Sequence, residues 1–143
     1  MEALIEVIAE ERLTLQINHE YLADCLWTIE KHGRDKGDLI YIQKLINSGI
    51  TTKIISFLVS EEMPIVIPSL LILKIISEGS PAQRKIFMNE ADFFKQIDQK
   101  MHHRKRSIRK TIMEIITNLS AGPDFHLQKL LNKDRVKKIL QFL

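Results

Sequence analysis

The residues best suited to chemistry are a single cysteine and five histidines, and their spacing favours a structural role. Cys25 lies seven residues before His32, which suggests a nucleophile with its base. On a helix that separation is roughly two turns, so the two side chains cannot form a direct hydrogen bond. The pattern therefore favours a buried structural cysteine.

The adjacent pair His102 and His103 is the other candidate, in this case for binding a metal ion. Neighbouring side chains diverge around a helix, and no second pair of ligands follows at the spacing of a zinc site. The sequence also lacks the glycine-rich phosphate-binding motifs, the metalloprotease motif and the nucleophile elbow of hydrolases. We therefore expect a protein that is not an enzyme and that uses neither a metal nor another cofactor.

A basic run, HHRKRSIRK at residues 102–110, is the strongest charge feature of the chain. Clustered cations of this kind contact nucleic-acid phosphates, although no aromatic residue interleaves the run to provide a stacking platform for single strands. The run is also typical of a solvated turn before a helix, and it resembles a signal segment that could occupy a peptide-binding groove. These interpretations stay open for the basic surface formed by Arg104, Lys105, Arg106, Arg109 and Lys110.

Composition indicates one helical domain. A chain of 143 residues with 45% hydrophobic and 27% charged residues can bury one continuous core. Five glycines and four prolines leave little turn chemistry for a β-sheet fold, and the abundant Leu, Ile, Lys, Glu and Gln favour helices. The single cysteine excludes an intrachain disulfide and fits a reducing compartment. No apolar run reaches the length of a membrane span, so no membrane partner is expected.

The helices follow an internal repeat. Gly37, Gly79 and Gly122 are 42 and 43 residues apart, and each is preceded by a long apolar segment and followed by a short one. Three helices per unit at this period are the signature of an armadillo-type solenoid, with an ordinary helical bundle as the alternative. We predict an all-α, right-handed solenoid forming one domain over 1–143, with approximate repeats at 1–37, 38–79, 80–122 and, in part, 123–143. Its helices are predicted near 3–9, 14–32, 39–47, 51–60, 66–78, 81–89, 92–100, 105–121, 124–132 and 135–142.

The segment EEMPIVIPSLLILKIISEG at residues 61–79 contains two prolines at the beginning of a long apolar run. Proline lacks the amide hydrogen and fixes φ, so it is tolerated in the first turn of a helix but not inside it. We therefore predict a helix that begins around Pro64 and Pro68, has 70–77 as its body and stops at Gly79. Such an abrupt start suits a third helix that turns sharply away from the second.

The same segment resembles the sixth armadillo repeat of the importin-α (karyopherin-α) family. ADCLWTIEKHGRDKG resembles the repeat before it and IRKTIMEIITNLSAGPDFHLQKLL the repeat after it, in the same order, so that the resemblance covers roughly residues 3–143. It implies an adaptor of the cytoplasm and nucleus that binds basic nuclear localisation signals. The resemblance starts beyond the family's basic arm and its major signal-binding repeats. Only the region of the minor site is represented, and binding to importin-β is not expected.

In that family the third helices line a concave groove. A Trp on each helix holds Lys or Arg stems of the peptide, and an Asn four residues later pins the peptide backbone. The corresponding positions in this chain are, in order, Trp27 and Lys31, Leu71 and Ile75, and Glu114 and Asn118. The resemblance therefore implies that the peptide-binding residues are Trp27, Leu71, Glu114 and Asn118. Asn118 is the one backbone clamp kept intact.

These observations predict an importin-α-like module that binds basic extended peptides with weakened or altered specificity, because most Trp and Asn positions are replaced. The expected partners are cargo proteins with basic signals and, through the open ends of the solenoid, further copies of the chain. One alternative is a structural or nucleic-acid-associated scaffold that uses the basic surface of residues 95–138 without binding signals. Another is a shortened copy without a transport role. Affinity for basic peptides distinguishes these hypotheses.

Overall fold

The computed structural model describes residues 2–9 and 19–121. In this part of the chain the regular structure is helical and contains no strand, as the sequence predicts. The predicted helices 124–132 and 135–142, and the partial repeat that contains them, lie outside the described residues. The helices are α1 (Glu2–Ala9), α2 (His19–Lys36), α3 (Leu39–Asn47), α4 (Ile50–Phe57), α5 (Met63–Ser77), α6 (Pro81–Arg84) with the 3-10 helix Lys85–Asn89, α7 (Ala91–Lys100) and α8 (Arg106–Ser120).

The helices form three layers that recur along the chain. After α1 and α2 come two complete triplets, α3–α4–α5 and α6–α7–α8, each with a short first helix and a long third helix. The third helices pack side by side in the order α2, α5, α8, the second helices α1, α4 and α7 form another layer, and the first helices α3 and α6 pack together. The result is the predicted armadillo-type solenoid, with α5 in the middle of the third-helix layer.

The core lies between these layers and consists mainly of Ile and Leu side chains. Helix α5 contributes most to it, because ten of its 15 residues are buried. Each fully buried Leu or Ile side chain stabilises the fold by about 1.5–3 kcal/mol. Since α2 covers one side of α5, α8 the other and α4 a third, α5 presents a single narrow strip to solvent.

Helix α2 continues to Lys36, beyond the predicted end at residue 32. Gly33 therefore lies inside the helix, where its lack of a side chain makes room for two neighbours. A Cβ atom there would come within 2.9 Å of Ile75 Cδ1 and 3.0 Å of Tyr41 Cε1. The close packing of α2 on its neighbours thus outweighs the weakening effect of glycine on a helix.

Helix α5 begins at Met63, so Pro64 lies in its first turn as predicted, but Pro68 lies inside the helix. The prediction that both prolines mark the start is wrong for Pro68. Its missing amide leaves the Pro64 carbonyl without the usual helical donor, a loss of about 1 kcal/mol. The burial of ten side chains in this helix is worth several times more.

Gly79, one of the glycines that mark the repeat, is closely packed at the junction between repeats. A Cβ atom there would lie 2.6 Å from Gln83 Oε1. The Gln83 side chain accepts from the Ser80 amide at 3.0 Å in a capping box that starts α6. Its Nε2 group donates to the Leu39 carbonyl at 2.8 Å and to Gln43 Oε1 at 3.2 Å. Gln83 therefore connects the first helices of two successive repeats.

Candidate functional site

The solvent-facing strip of α5, called here the α5 stripe, consists of positions that recur every three or four residues. All other positions of the helix from residue 65 to residue 77 are buried. Because α2 and α8 lie on either side, this stripe and the solvent-facing residues of its two neighbours form one surface. We call it the third-helix surface. The α5 stripe contains Met63, Ile67, Leu71, Lys74 and Glu78.

The four predicted peptide-binding residues all reach this surface. Trp27 on α2 is 40% exposed, Leu71 is half-buried on the α5 stripe, and Glu114 and Asn118 are half-buried on α8. Glu114 and Asn118 contact α5 directly, through Lys74 and Ser77 respectively. Trp27 lies on the opposite side of α5 from the α8 pair, so the predicted site is a row across three helices rather than one cluster.

The Glu114 carboxylate is already paired. Its Oε2 atom lies 3.0 Å from the Lys74 ammonium of α5, and its Oε1 atom lies 3.8 Å from the Lys110 ammonium on the next turn of α8. Both ion pairs are partly exposed, so each contributes at most about 1 kcal/mol. Sequence reasoning missed Lys74, although its place three residues after Leu71 puts both on the same face of a helix. The acid predicted to meet a basic peptide therefore has internal partners that compete for it.

The Asn118 amide links two third helices. Its Nδ2 group donates to Ser77 Oγ at 2.9 Å, and Ser77 Oγ donates to the Lys74 carbonyl at 2.6 Å. The Asn118 main-chain carbonyl accepts from Arg84 at 3.3 Å. An amide side chain has two N–H donors and a carbonyl acceptor, so the bond to Ser77 uses one donor. The role of Asn118 as a backbone clamp stays a prediction, with the amide held in place from α5.

Ile75 does not share the exposure of the α5 stripe. It is 8% exposed, and its Cδ1 atom lies against Gly33 of α2. Lys31, the matching position on α2, is exposed. The expectation that Ile75 occupies the clamp position on the open face is therefore wrong, because packing between α2 and α5 uses that side chain.

The residues of the predicted basic surface differ in their accessibility. Arg104, Lys105, Arg106 and Lys110 are exposed, but Arg109 is only partly so. The Arg109 guanidinium donates through Nη1 to the carbonyl oxygens of His103 at 2.7 Å and Arg104 at 2.9 Å. Arg109 thus holds the loop before α8 through Nη1, and its role as a surface cation stays a prediction.

Cys25 is buried, as predicted, and burial is the main cause that raises the pKa of its thiol. The nearby histidines have other contacts. His32 packs its ring against Tyr41 with centroids 4.8 Å apart, and His19 Nδ1 lies 2.7 Å from a Glu62 carboxylate oxygen. Within residues 2–9 and 19–121 no three metal-ligating side chains come together. Among the helices described, none is long and apolar enough to cross a membrane.

Solved structures of designed armadillo-repeat proteins superimpose on nearly the whole chain. One matches with a TM-score of 0.83 at 15% identity, over 98% of this chain and 55% of its own. A second, designed computationally for modular peptide recognition, matches with a TM-score of 0.82 at 16% identity over 98% and 55% of the two chains. A third, in complex with the peptide (KR)4, matches with a TM-score of 0.77 at 15% identity, over 96% of this chain and 60% of its own.

The chain therefore spans little more than half the length of these proteins. No protein-family model matches the sequence. A comparison with curated proteins also finds no similar sequence. At identities this low the likeness concerns the backbone, and it shows that the chain has the armadillo solenoid fold.

Proposed function

We propose that this protein is a non-enzymatic peptide-binding module that holds an extended peptide on its third-helix surface. The observation that carries the proposal is the row of accessible side chains on three adjacent third helices: Trp27 on α2, Leu71 on α5, and Glu114 with Asn118 on α8. An exposed indole can pack on an aliphatic stem, and an amide can bond a peptide backbone. Designed proteins of the same fold include one in complex with the peptide (KR)4.

The finer proposal is that the peptide is basic, of the nuclear localisation type, and that the protein acts in nuclear import between cytoplasm and nucleus. The resemblance to importin-α and the acidic group at Glu114 support it. A fluorescent cargo with a basic signal should accumulate in nuclei of permeabilised cells when this chain is added. An unchanged nuclear fraction, or equal accumulation of a cargo without the signal, would contradict the transport role while leaving peptide binding to be judged by affinity.

Binding should be weak for two structural reasons. The Lys74 ammonium occupies the Glu114 carboxylate, and the α5 stripe has no Asn or Gln side chain to bond a peptide backbone. A lost hydrogen bond costs about 1 kcal/mol, and a lost Trp stack costs roughly 0.5–2 kcal/mol. Two or three such losses weaken affinity by about 10- to 1,000-fold relative to a complete ladder.

The test uses the single tryptophan of the chain as the reporter. Titrating a (KR)4 peptide should change Trp27 fluorescence. The variant Glu114→Gln should weaken binding about two- to fivefold, while Lys74→Gln should strengthen it by a similar factor, because the pair is worth at most about 1 kcal/mol. Lys95→Gln, which removes an exposed cation of α7, is the matched control and should change little.

If Glu114→Gln and Lys74→Gln changed the peptide affinity in the same direction, the proposal would be contradicted. A preference for an acidic peptide of equal length would also contradict it.

The second candidate function, a nucleic-acid-associated scaffold, would then gain support. The specific observation in its favour is the exposure of Arg104, Lys105 and Arg106 on consecutive positions. Oligonucleotide binding that falls steeply with salt concentration is its expected signature. Self-association through the solenoid ends is a further proposal, to be checked by light scattering over a range of protein concentrations.

A further inference from the structure

A cavity of about 700 Å³ lies at the edge of the solenoid, away from the residues of the proposed peptide row. It opens between the connection from α4 to α5 and the connection from α7 to α8. Three of its lining residues are basic, Lys100, Arg104 and Lys105, and the lining contains one carboxylate, Glu61. With histidine neutral, these groups leave a net charge of +2 on the walls. We call this site the cationic cavity.

Lys100 contributes a positive charge to the cavity that no described residue neutralises. Its ammonium donates to the Leu58 carbonyl at 2.6 Å and to Gln96 Oε1 at 3.1 Å, and both acceptors are uncharged. Among residues 2–9 and 19–121, no carboxylate lies within ion-pair distance of it. Burial lowers the pKa of Lys100. An ammonium has three donors, so one remains for a ligand in the cavity.

The loop at 101–105 is held in a fixed shape around the cavity. Arg109 bonds the carbonyl oxygens of His103 and Arg104, and the Lys105 amide donates to His103 Nδ1 at 3.0 Å. That bond leaves the hydrogen of the neutral imidazole on Nε2. Burial, followed by the charges of Lys100, Arg104, Arg109 and Lys105, lowers the pKa of His103. The donors of the loop are therefore positioned in a local field that is positive.

We infer that the cationic cavity binds a phosphate group, which lies among Lys100, Arg104, Lys105 and the His103 imidazole. A phosphate monoester carries a charge of about −1.5 to −2 at pH 7 and three strong acceptors, which matches the charge and the donors of the walls. Charge-assisted hydrogen bonds of this kind are about twice as strong as neutral ones. Free inorganic phosphate and a phosphorylated side chain share this chemistry.

The other wall of the cavity explains why it is larger than one anion. Val59 and Met63 line it with accessible side chains, and they offer apolar contact to a carbon chain attached to the phosphate. A volume of roughly 300–1,000 Å³ is usual for sites that hold small organic molecules. The site shares Met63 with the α5 stripe but contains none of the residues of the proposed peptide row, so failure of one proposal leaves the other testable.

The experiment measures phosphate binding by calorimetry in the wild-type chain and in two double variants. Arg104→Gln with Lys105→Gln removes two exposed cations of the cavity. Arg106→Gln with Lys95→Gln removes two exposed cations outside it and is the matched control. We expect saturable binding to wild type, at least about tenfold weaker binding to the cavity variant and a change within about twofold for the control. Equal losses in the two variants, or no saturable binding at millimolar phosphate, would overturn the inference.

A second readout needs no charge variant. Phosphate in the cavity should raise the pKa of His103, followed by nuclear magnetic resonance and assigned by the signal lost in His103→Gln. An unchanged pKa at saturating phosphate would also overturn the inference. The ligand source is separated by comparing inorganic phosphate with a phosphoserine peptide and its unphosphorylated form. Tighter binding of the phosphopeptide supports a phosphorylated side chain, and equal binding supports the free anion.

Discussion

On the third-helix surface the Glu114 carboxylate lies 3.0 Å from one ammonium and 3.8 Å from another. In the cationic cavity the Lys100 ammonium bonds two neutral oxygens, and the part of the chain that the structure describes offers it no carboxylate partner. Both regions are formed by neighbouring repeats of one solenoid. They differ in whether the charged side chain has an ion-pair partner among the described residues.

The difference predicts how each region responds to a ligand. A basic peptide on the third-helix surface must displace Lys74 from Glu114, so the protein itself competes with the ligand. An anion in the cationic cavity displaces no internal ion pair and relieves the mutual repulsion of its cations. The peptide site is therefore limited by internal pairing, whereas the cavity is limited mainly by screening from salt.

The largest expected effect tests where the third-helix surface ends. Ile75→Asn replaces a side chain that is 8% exposed with an amide that packs against α2. Lost apolar burial together with an unsatisfied polar group should lower the free energy of unfolding by about 3 kcal/mol. Leu71→Asn, on the half-buried α5 stripe, is the control and should cost less than half as much. Urea denaturation measures both, and similar losses would show that the two positions are equivalent.

A smaller effect concerns how the cationic cavity keeps its shape. Arg109→Met removes two hydrogen bonds to loop carbonyls but keeps a long apolar stem. We expect a loss of about 1–2 kcal/mol in unfolding free energy, faster amide hydrogen exchange in residues 101–105 and weaker phosphate binding. Arg106→Met is the control at an exposed position. Normal hydrogen exchange in Arg109→Met would show that the loop holds its shape without the guanidinium.

The smallest effect contrasts Lys100 of the cationic cavity with a buried tyrosine of α3 at alkaline pH. Tyr41, whose hydroxyl donates to the Ile29 carbonyl at 3.0 Å, has its pKa raised by burial to about 12. Its stabilisation is complete below the unfolded pKa of about 10 and is lost as pH rises towards the folded value, so Tyr41→Phe should flatten this fall.

The contribution of Lys100 to stability depends on pH in the opposite direction. The folded pKa of Lys100 is lowered, so the unfolded chain binds more protons, and stability rises with pH in the window just below the ordinary lysine pKa of 10.5. Lys100→Met should remove that rise. Urea denaturation at a series of alkaline pH values checks both variants. If the unfolding free energies of Tyr41→Phe and Lys100→Met changed with pH in parallel, the predicted opposite effects would be contradicted.

Much of the solenoid could be predicted from the sequence because its signals are local. The spacing of Gly37 and Gly79 predicts the repeat, and the structure shows a reason for Gly79 in its contact with Gln83. Apolar periodicity locates the helices within a few residues, and the exposure of Trp27 follows from its place in the repeat. Where predictions fail, at Pro68 and at the end of α2, burial against neighbouring helices outweighs local preference.

The sequence by itself determined the helical class and the repeat, because these follow from period and residue type. Only the tertiary structure decided which charges are paired. Lys74 meets Glu114 across two helices, and Lys100 meets the carbonyl of Leu58, 42 residues away along the chain. A helical pattern predicts that one face of a helix is polar. Which group of the neighbouring helix a polar side chain meets depends on how successive repeats stack. That stacking pairs the carboxylate of Glu114, whereas within residues 2–9 and 19–121 it brings no carboxylate to Lys100.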